Sequence, residues 1–199
     1  MTRFSRAQLL SRTAKGGLAL AVGGGVLSAV SSPASAAIGP GDVPEVTQAL
    51  AAELLGVAFY TQLLAAKVFR ADEQKYFARA LVNENEHYTA MAKFLTDAGQ
   101  TPGTADDFNF TFPKGAFSAR KPAAELGLQL ETIFLGIYLG GVDALQDGLT
   151  RSIFARVAAS QAHHVSLFSS IVLNKPIGLS FPVPLSLPAG SAALDPFIS

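Results

Sequence analysis

The sequence predicts an all-α protein. The expected architecture is a four-helix bundle, two antiparallel hairpins joined by a long crossover, with a proline-rich C-terminal tail packed on it. Three observations predict it. Four segments carry apolar residues at the helical period. The first is joined to the second, and the third to the fourth, by very short turns, which makes each pair an antiparallel hairpin. Between the pairs, residues 100–121 lose the period and collect Pro102, Gly103, Pro113 and Gly115.

The first helix is expected over about 45–70, with Val46, Leu50, Val57 and Leu64 on one face and Glu53 in the same register. Ala71-Asp72 reads as a turn, with Asp72 as N-cap of the second helix, about 73–98. That helix carries Phe77, Leu81, Tyr88, Met91 and Leu95, with Glu84 and His87 on the stripe, and Gly99 stops it. The crossover holds alternating Phe108, Phe110 and Phe112, consistent with a short extended stretch. The third helix, about 122–148, shows Leu128, Leu135, Tyr138, Val142 and Leu145, with Glu131 among them. Its Gly127, Gly136, Gly140 and Gly141 read as exposed positions for close helix contact, within the subunit or across a homo-oligomer. Asp147-Gly148 marks a turn, and the fourth helix, about 149–173, carries Ile153, Val157, Leu167 or Phe168, and Ile171 around Gln161 and His164. Residues 174–199 hold Pro176, Pro182, Pro184, Pro188 and Pro196, so no helix is expected to continue there. Their apolar residues Phe181, Val183, Leu185, Leu187 and Phe197 suggest a tail lying along the bundle.

Residues 1–36 read as a cleaved signal peptide. A basic region with Arg3, Arg6, Arg12 and Lys15 precedes an apolar, glycine-rich stretch from Gly16 to Val30, then Ala34-Ser35-Ala36 in cleavage-site form. The stretch is too short and too rich in glycine for a good spanning helix, so no integral membrane segment is expected after cleavage. Ser5-Arg6 resembles a twin-arginine signal lacking one arginine, so the general secretory route and a degenerate twin-arginine route both stay open. The expected location is periplasmic, cell-envelope or extracellular. The remaining 37–199 forms one domain. Without the four leading cations, 11 basic side chains face 15 acidic ones, which argues against nucleic acid as a partner. The chain has no cysteine, which excludes disulfides, thiolate catalysis and Cys-ligated metal. No nucleotide-binding or hydrolase fingerprint is present.

The chemistry concentrates in two short motifs. Glu84-Asn85-Glu86-His87 is a Glu-x-x-His, and Gln161-Ala162-His163-His164 repeats the spacing with Gln for Glu. On a helix, i and i+3 share a face. Glu53 and Glu131 interrupt the apolar faces of the other two helices. Taken singly, Glu53 reads equally well as a surface acid. Together, three acids and two His or Gln positions facing one interior would carry a large desolvation cost. A pair of divalent cations would offset it, and imidazole with carboxylate suits iron or manganese. His163 points about 100° away from His164 and reads as peripheral. Glu86 reads as solvated. Tyr60 and Tyr88 read as core aromatics, and Tyr138 as the best candidate to support the ligands.

The chain resembles the ferritin-like superfamily, and within it exported ferritin-like domain proteins related to plant desiccation-related and fungal stress-response proteins. The residues that carry the likeness are Glu53 with Phe59-Tyr60, Glu84-x-x-His87, Glu131 with Gly136-Ile137-Tyr138-Leu139-Gly140, Gln161-x-x-His164, and the tail Phe181-Pro182-Val183-Pro184-Leu185-Ser186. The resemblance implies one metal held by Glu53, Glu84 and His87 and a second by Glu131 and His164. Glu84 would bridge the two, and Gln161 would stand where the other bridging carboxylate belongs. An amide is neutral and a poorer ligand, so a mononuclear or asymmetric site is expected. Two readings follow. One is a secreted protein binding one or two iron or manganese ions, with oxidase-like or metal-handling activity. The alternative is a metal-free helical scaffold of the cell envelope, serving stress protection or interaction.

Overall fold

The structure is a computed structural model and describes residues 38–198. The expected signal peptide, 1–36, lies outside the described residues. Five helices follow in order: α1 Val43–Ala66, α2 Ala71–Asp97, α3 Arg120–Ala144, α4 Gly148–Leu173 and a short α5 Leu187–Leu194. A 3₁₀ turn, Ala105–Asp107, lies in the crossover, and there is no strand among the described residues. The fold is the expected all-α bundle: α1 pairs with α2, α3 pairs with α4, and α1 crosses α3 at the centre.

The helix ends differ from the sequence expectation by a few residues, for local reasons. α1 stops at Ala66 because Lys67 takes the left-handed conformation, with φ 53°. Phe69 then turns inward and is buried. α2 begins at Ala71 with Arg70, not Asp72, as N-cap; Glu73 accepts a hydrogen bond from the Arg70 N–H at 3.0 Å. Gly99, with φ 73°, ends α2 as expected. α3 ends at Ala144 because Leu145 is extended and buried, and Asp147 caps α4 by accepting from the Thr150 N–H at 2.7 Å. Asp42 ties the same end of the bundle together, accepting from the amides of Gln146 at 3.0 Å and Asp147 at 2.8 Å.

α1 is long and apolar enough to cross a membrane by those two measures alone, and here 61% of that window is buried. The reason is its central place: α2, α3 and α5 all pack on it. α5 is the largest departure from the expected tail. Pro188 does not prevent a helix, because it sits in the first turn, where its missing N–H has no partner to lose. α5 lies across α1 and α3, clamped by Gln48, whose amide donates to Leu187 O at 2.7 Å and Ser191 Oγ at 2.8 Å. Gly190 allows this approach: a Cβ there would lie 2.6 Å from Gln48 Oε1. Beyond it, Phe197 and Ile198 are buried, and Ile198 bridges to Phe110 in the crossover.

The glycines of α3 are buried rather than exposed, and their neighbours belong to this chain. A Cβ on Gly127 or Gly141 would meet the Phe168 or Phe154 ring at 2.4 Å, and one on Gly140 would meet the Leu185 carbonyl oxygen at 1.8 Å. They are the sockets into which α4 and the tail fit. Part of the tail does pack as expected: Leu185 docks on Gly136 and Gly140, its N–H donating to Gly136 O at 2.8 Å. Phe181 and Val183 do not, and both are largely exposed.

Candidate metal centre

Each central helix contributes one acid or amide near its middle, and all four side chains are fully buried: Glu53 on α1, Glu84 on α2, Glu131 on α3 and Gln161 on α4. His164 is buried and His87 retains 13% side-chain exposure. The bundle therefore gathers all six residues singled out from the sequence. Their ligand atoms form two groups, Glu53–Glu84–His87 and Glu84–Glu131–His164, in each of which the chosen atoms lie within 4.8 Å of one another. Glu84 belongs to both. His163 and Glu86 are exposed and take no part.

The centre is sandwiched along the bundle axis between two apolar clusters. On one side stand Phe59, Tyr60, Phe77 and Phe168; on the other, Tyr138, Phe154, Leu50 and Met91. These layers shield the centre from water, and His87, on the lightly packed seam between α2 and α4, is the member nearest the solvent.

The two tyrosines cross over. Tyr60 on α1 donates to Glu131 Oε1 on α3, and Tyr138 on α3 donates to Glu53 Oε1 on α1. Burial, and then the neighbouring carboxylate charge, pushes both phenols well above their usual range, so each stays a proton donor. Tyr138 was the expected support; Tyr60 was missed. Its signal was available, since Glu53 to Tyr60 and Glu131 to Tyr138 are the same seven residues.

The two metal groups differ in how their polar atoms are satisfied. His164 Nδ1 lies 3.1 Å from Glu84 Oε1 and 3.4 Å from Glu131 Oε1. Burial pushes its pKa down, but the charges and hydrogen bonds of Glu131 and Glu84 outweigh burial and raise it to about 10. His87 Nδ1 approaches Glu53 Oε2 at 3.4 Å, yet neither atom makes a hydrogen bond. Burial lowers the His87 pKa, which keeps the ring neutral. Among the acids, burial and the adjacent Glu84 charge raise Glu53 well above 4.5. Burial also raises Glu131. Burial acts upward on Glu84 too, but His164 against it, with Glu53 and His87 beside it, prevails and holds it below 4.5.

Gln161 faces acids whichever way its amide is turned. In one orientation its nitrogen lies 3.5 Å from Glu53 Oε1 and 3.3 Å from Glu84 Oε2. In the other it lies 3.2 Å from Glu84 Oε1, 2.9 Å from Glu131 Oε2 and 2.9 Å from His164 Nδ1. The second orientation brings the amide nitrogen closer to the acids, whereas the first leaves the amide oxygen to accept from the protonated His164 Nδ1.

Two further residues shape the site and were missed. Gly56, one turn from Glu53, lets Glu84 lie against α1: a Cβ there would sit 2.6 Å from Glu84 Oε2. Asn83 places its amide nitrogen 3.2 Å from His164 Nε2 and 3.5 Å from Ser160 Oγ. A glycine in a helix and an asparagine beside a ligand carry no pattern of their own, so only the packing identifies them.

The donor set fits a transition-metal cation. Carboxylates and Nδ1 imidazoles converge, two polar atoms lie buried and unpaired at ligand spacing, and hydrogen bonds from outside the set orient the acids. A four-helix bundle with Glu-x-x-His on one helix and lone glutamates on two others defines the class of carboxylate metal-site bundles. Residues 41–174, about two-thirds of the chain, match the ferritin-like domain model, and the chain belongs to that family. No curated protein matches it.

Proposed function

We propose that this is an exported metal-handling protein that holds one iron or manganese ion tightly through Glu53, Glu84 and His87, with a weaker second position at Glu84, Glu131 and His164. One observation carries the reading: Glu53 Oε2 and His87 Nδ1 are buried, 3.4 Å apart and without hydrogen bonds. Leaving a buried polar atom unpaired costs about 1–3 kcal/mol. A cation between them satisfies both and neutralises the acid excess. The softness of imidazole with carboxylate supports iron or manganese over calcium or magnesium. The character of residues 1–36 supports export.

Bound there, such an ion would supply one-electron chemistry toward dioxygen or peroxide. The chain's own part is positional. Tyr138 and Tyr60 fix the Glu53 and Glu131 carboxylates, Gly56 leaves room for Glu84 to turn, and the aromatic layers exclude water.

A second reading has its own observation. Gln161 and His164 already satisfy Glu84 and Glu131 without an ion, which favours a metal-free helical scaffold acting through its surface. Elemental analysis of the protein purified without chelator separates the two. The metal reading expects one iron or manganese per chain, lost in Glu84→Ala. A wild type without metal, whose melting temperature ignores added Fe²⁺ or Mn²⁺ while Glu53→Ala and His87→Ala are unchanged or more stable, overturns it.

A further inference from the structure

Between α4 and α5 the chain forms a strap that the bundle does not cover. Leu173, Ile177, Leu179, Phe181 and Val183 are 55%, 88%, 75%, 90% and 67% exposed. From 177 to 183 the apolar residues fall at every second position, and the backbone bends at Ser180 and Phe181 partway along that row. Both ends of the strap are fixed. At its start Asn174 takes the left-handed cap conformation and Ser169 Oγ donates to Lys175 O at 2.6 Å. At its end Leu185 is seated on Gly136 and Gly140. Between them, residues 176–184 make no backbone–backbone hydrogen bond, and Pro176, Pro182 and Pro184 stiffen the run.

We propose that this strap is the contact surface for a second copy of the chain, forming a two-fold dimer. The area is the first argument. Five large apolar side chains at these exposures present about 600 Å² on each subunit, at the top of the ~300–600 Å² spanned by the largest apolar patch of a typical monomer and approaching the ~800 Å² per partner of a stable interface. The second is self-complementarity. The unbent run 177–179, whose amides make no backbone hydrogen bond, can lie antiparallel to its own copy about a two-fold axis while Phe181 and Val183 cover the partner's row beyond the bend. The third is charge. Lys175 is the only lysine, arginine, aspartate or glutamate from 157 to 194, His164 is buried at the centre, and residues 38–198 carry more acids than bases, so the strap lacks the cationic rim that an anionic lipid surface would recruit.

The test is sedimentation equilibrium of the purified protein over about 1–100 μM, beside a Leu179→Ser/Phe181→Ser variant. Neither side chain belongs to the core, so the variant keeps the wild-type helical circular dichroism and melting of its metal-loaded form. The expected result is a wild-type dimer and a variant whose dimerisation is at least tenfold weaker. A wild type that stays monomeric at the highest concentration overturns the proposal. A dimer that survives the double substitution overturns it equally. So does a monomer that cosediments with vesicles of phosphatidylcholine and phosphatidylglycerol, since a lipid surface would then be the occupant.

Discussion

In the first hairpin Glu53 and Tyr60 stand seven residues apart, and Glu84 and His87 three; in the second, Glu131 and Tyr138, then Gln161 and His164, repeat both spacings. The two halves thus bring the same geometry to the centre, and even exchange tyrosine hydrogen bonds. They leave their histidines in opposite conditions. His164 lies between two carboxylates and acts as their counter-charge. His87 faces an unpaired carboxylate oxygen and makes no hydrogen bond. The exchange of one carboxylate for an amide at Gln161 accounts for much of this. The amide donates to Glu84 of the first half and Glu131 of the second, the two acids that flank His164, whereas a fourth carboxylate would need a second cation. A duplicated scaffold can therefore hold one half ready for a ligand and the other half internally satisfied.

Restoring the missing acid should have the largest effect. Gln161→Glu adds a buried carboxylate to three others and should destabilise the metal-free protein by roughly 2–4 kcal/mol. Added Fe²⁺ or Mn²⁺ should recover that loss and raise the bound metal from one ion per chain toward two, read by thermal melting and elemental analysis. A variant equally stable with and without metal would break the comparison.

Gly56→Ala should have a smaller and more selective effect. Its Cβ displaces the Glu84 carboxylate, so metal affinity should fall about 10- to 100-fold, as for other groups that orient ligands. Helical content should be unchanged, and isothermal titration calorimetry reads the affinity. Unchanged affinity would mean that Glu84 is not held where the site requires it.

The smallest effect should come from outside the centre and serve as its control. Arg120 on α3 holds Glu73 on α2 through Nε at 3.2 and 3.1 Å and through Nη2. The guanidinium lowers the Glu73 pKa below 4.5, against the upward pull of burial. A carboxylate depressed in the folded state contributes stability above its unfolded value, near 4.5, and loses it as pH falls through the folded value. Glu73→Gln should therefore cost roughly 1–3 kcal/mol at pH 7, a cost that starts to shrink near pH 4.5 and vanishes only once pH has fallen below the depressed folded value, by chemical denaturation. Metal affinity should not move.

Much of this was legible in the sequence, because helical periodicity and turn residues specify a bundle directly. All six central residues could be found, since an acid on an apolar stripe has few other uses. Tyr60 was legible too, through its spacing from Glu53, but read alone it was one more aromatic. What stayed hidden depended on close approach. Gly127, Gly136, Gly140 and Gly141 looked like exposed small residues until Phe168, Leu185 and Phe154 filled them. Pro188 looked like a barrier to helix, although the first turn tolerates it. Phe181 looked like part of a tail packed along the bundle, yet it is 90% exposed, because the tail docks through Leu185 and leaves the run before it uncovered.

The most direct test is a calorimetric titration of the metal-free protein with Mn²⁺, comparing wild type, His87→Ala and His164→Ala. The account predicts one tight equivalent in the wild type, lost in His87→Ala and retained in His164→Ala, with the melting temperature rising on metal addition only where that equivalent binds. Two equal equivalents in the wild type, or a tight site that disappears with His164 and survives without His87, would contradict it.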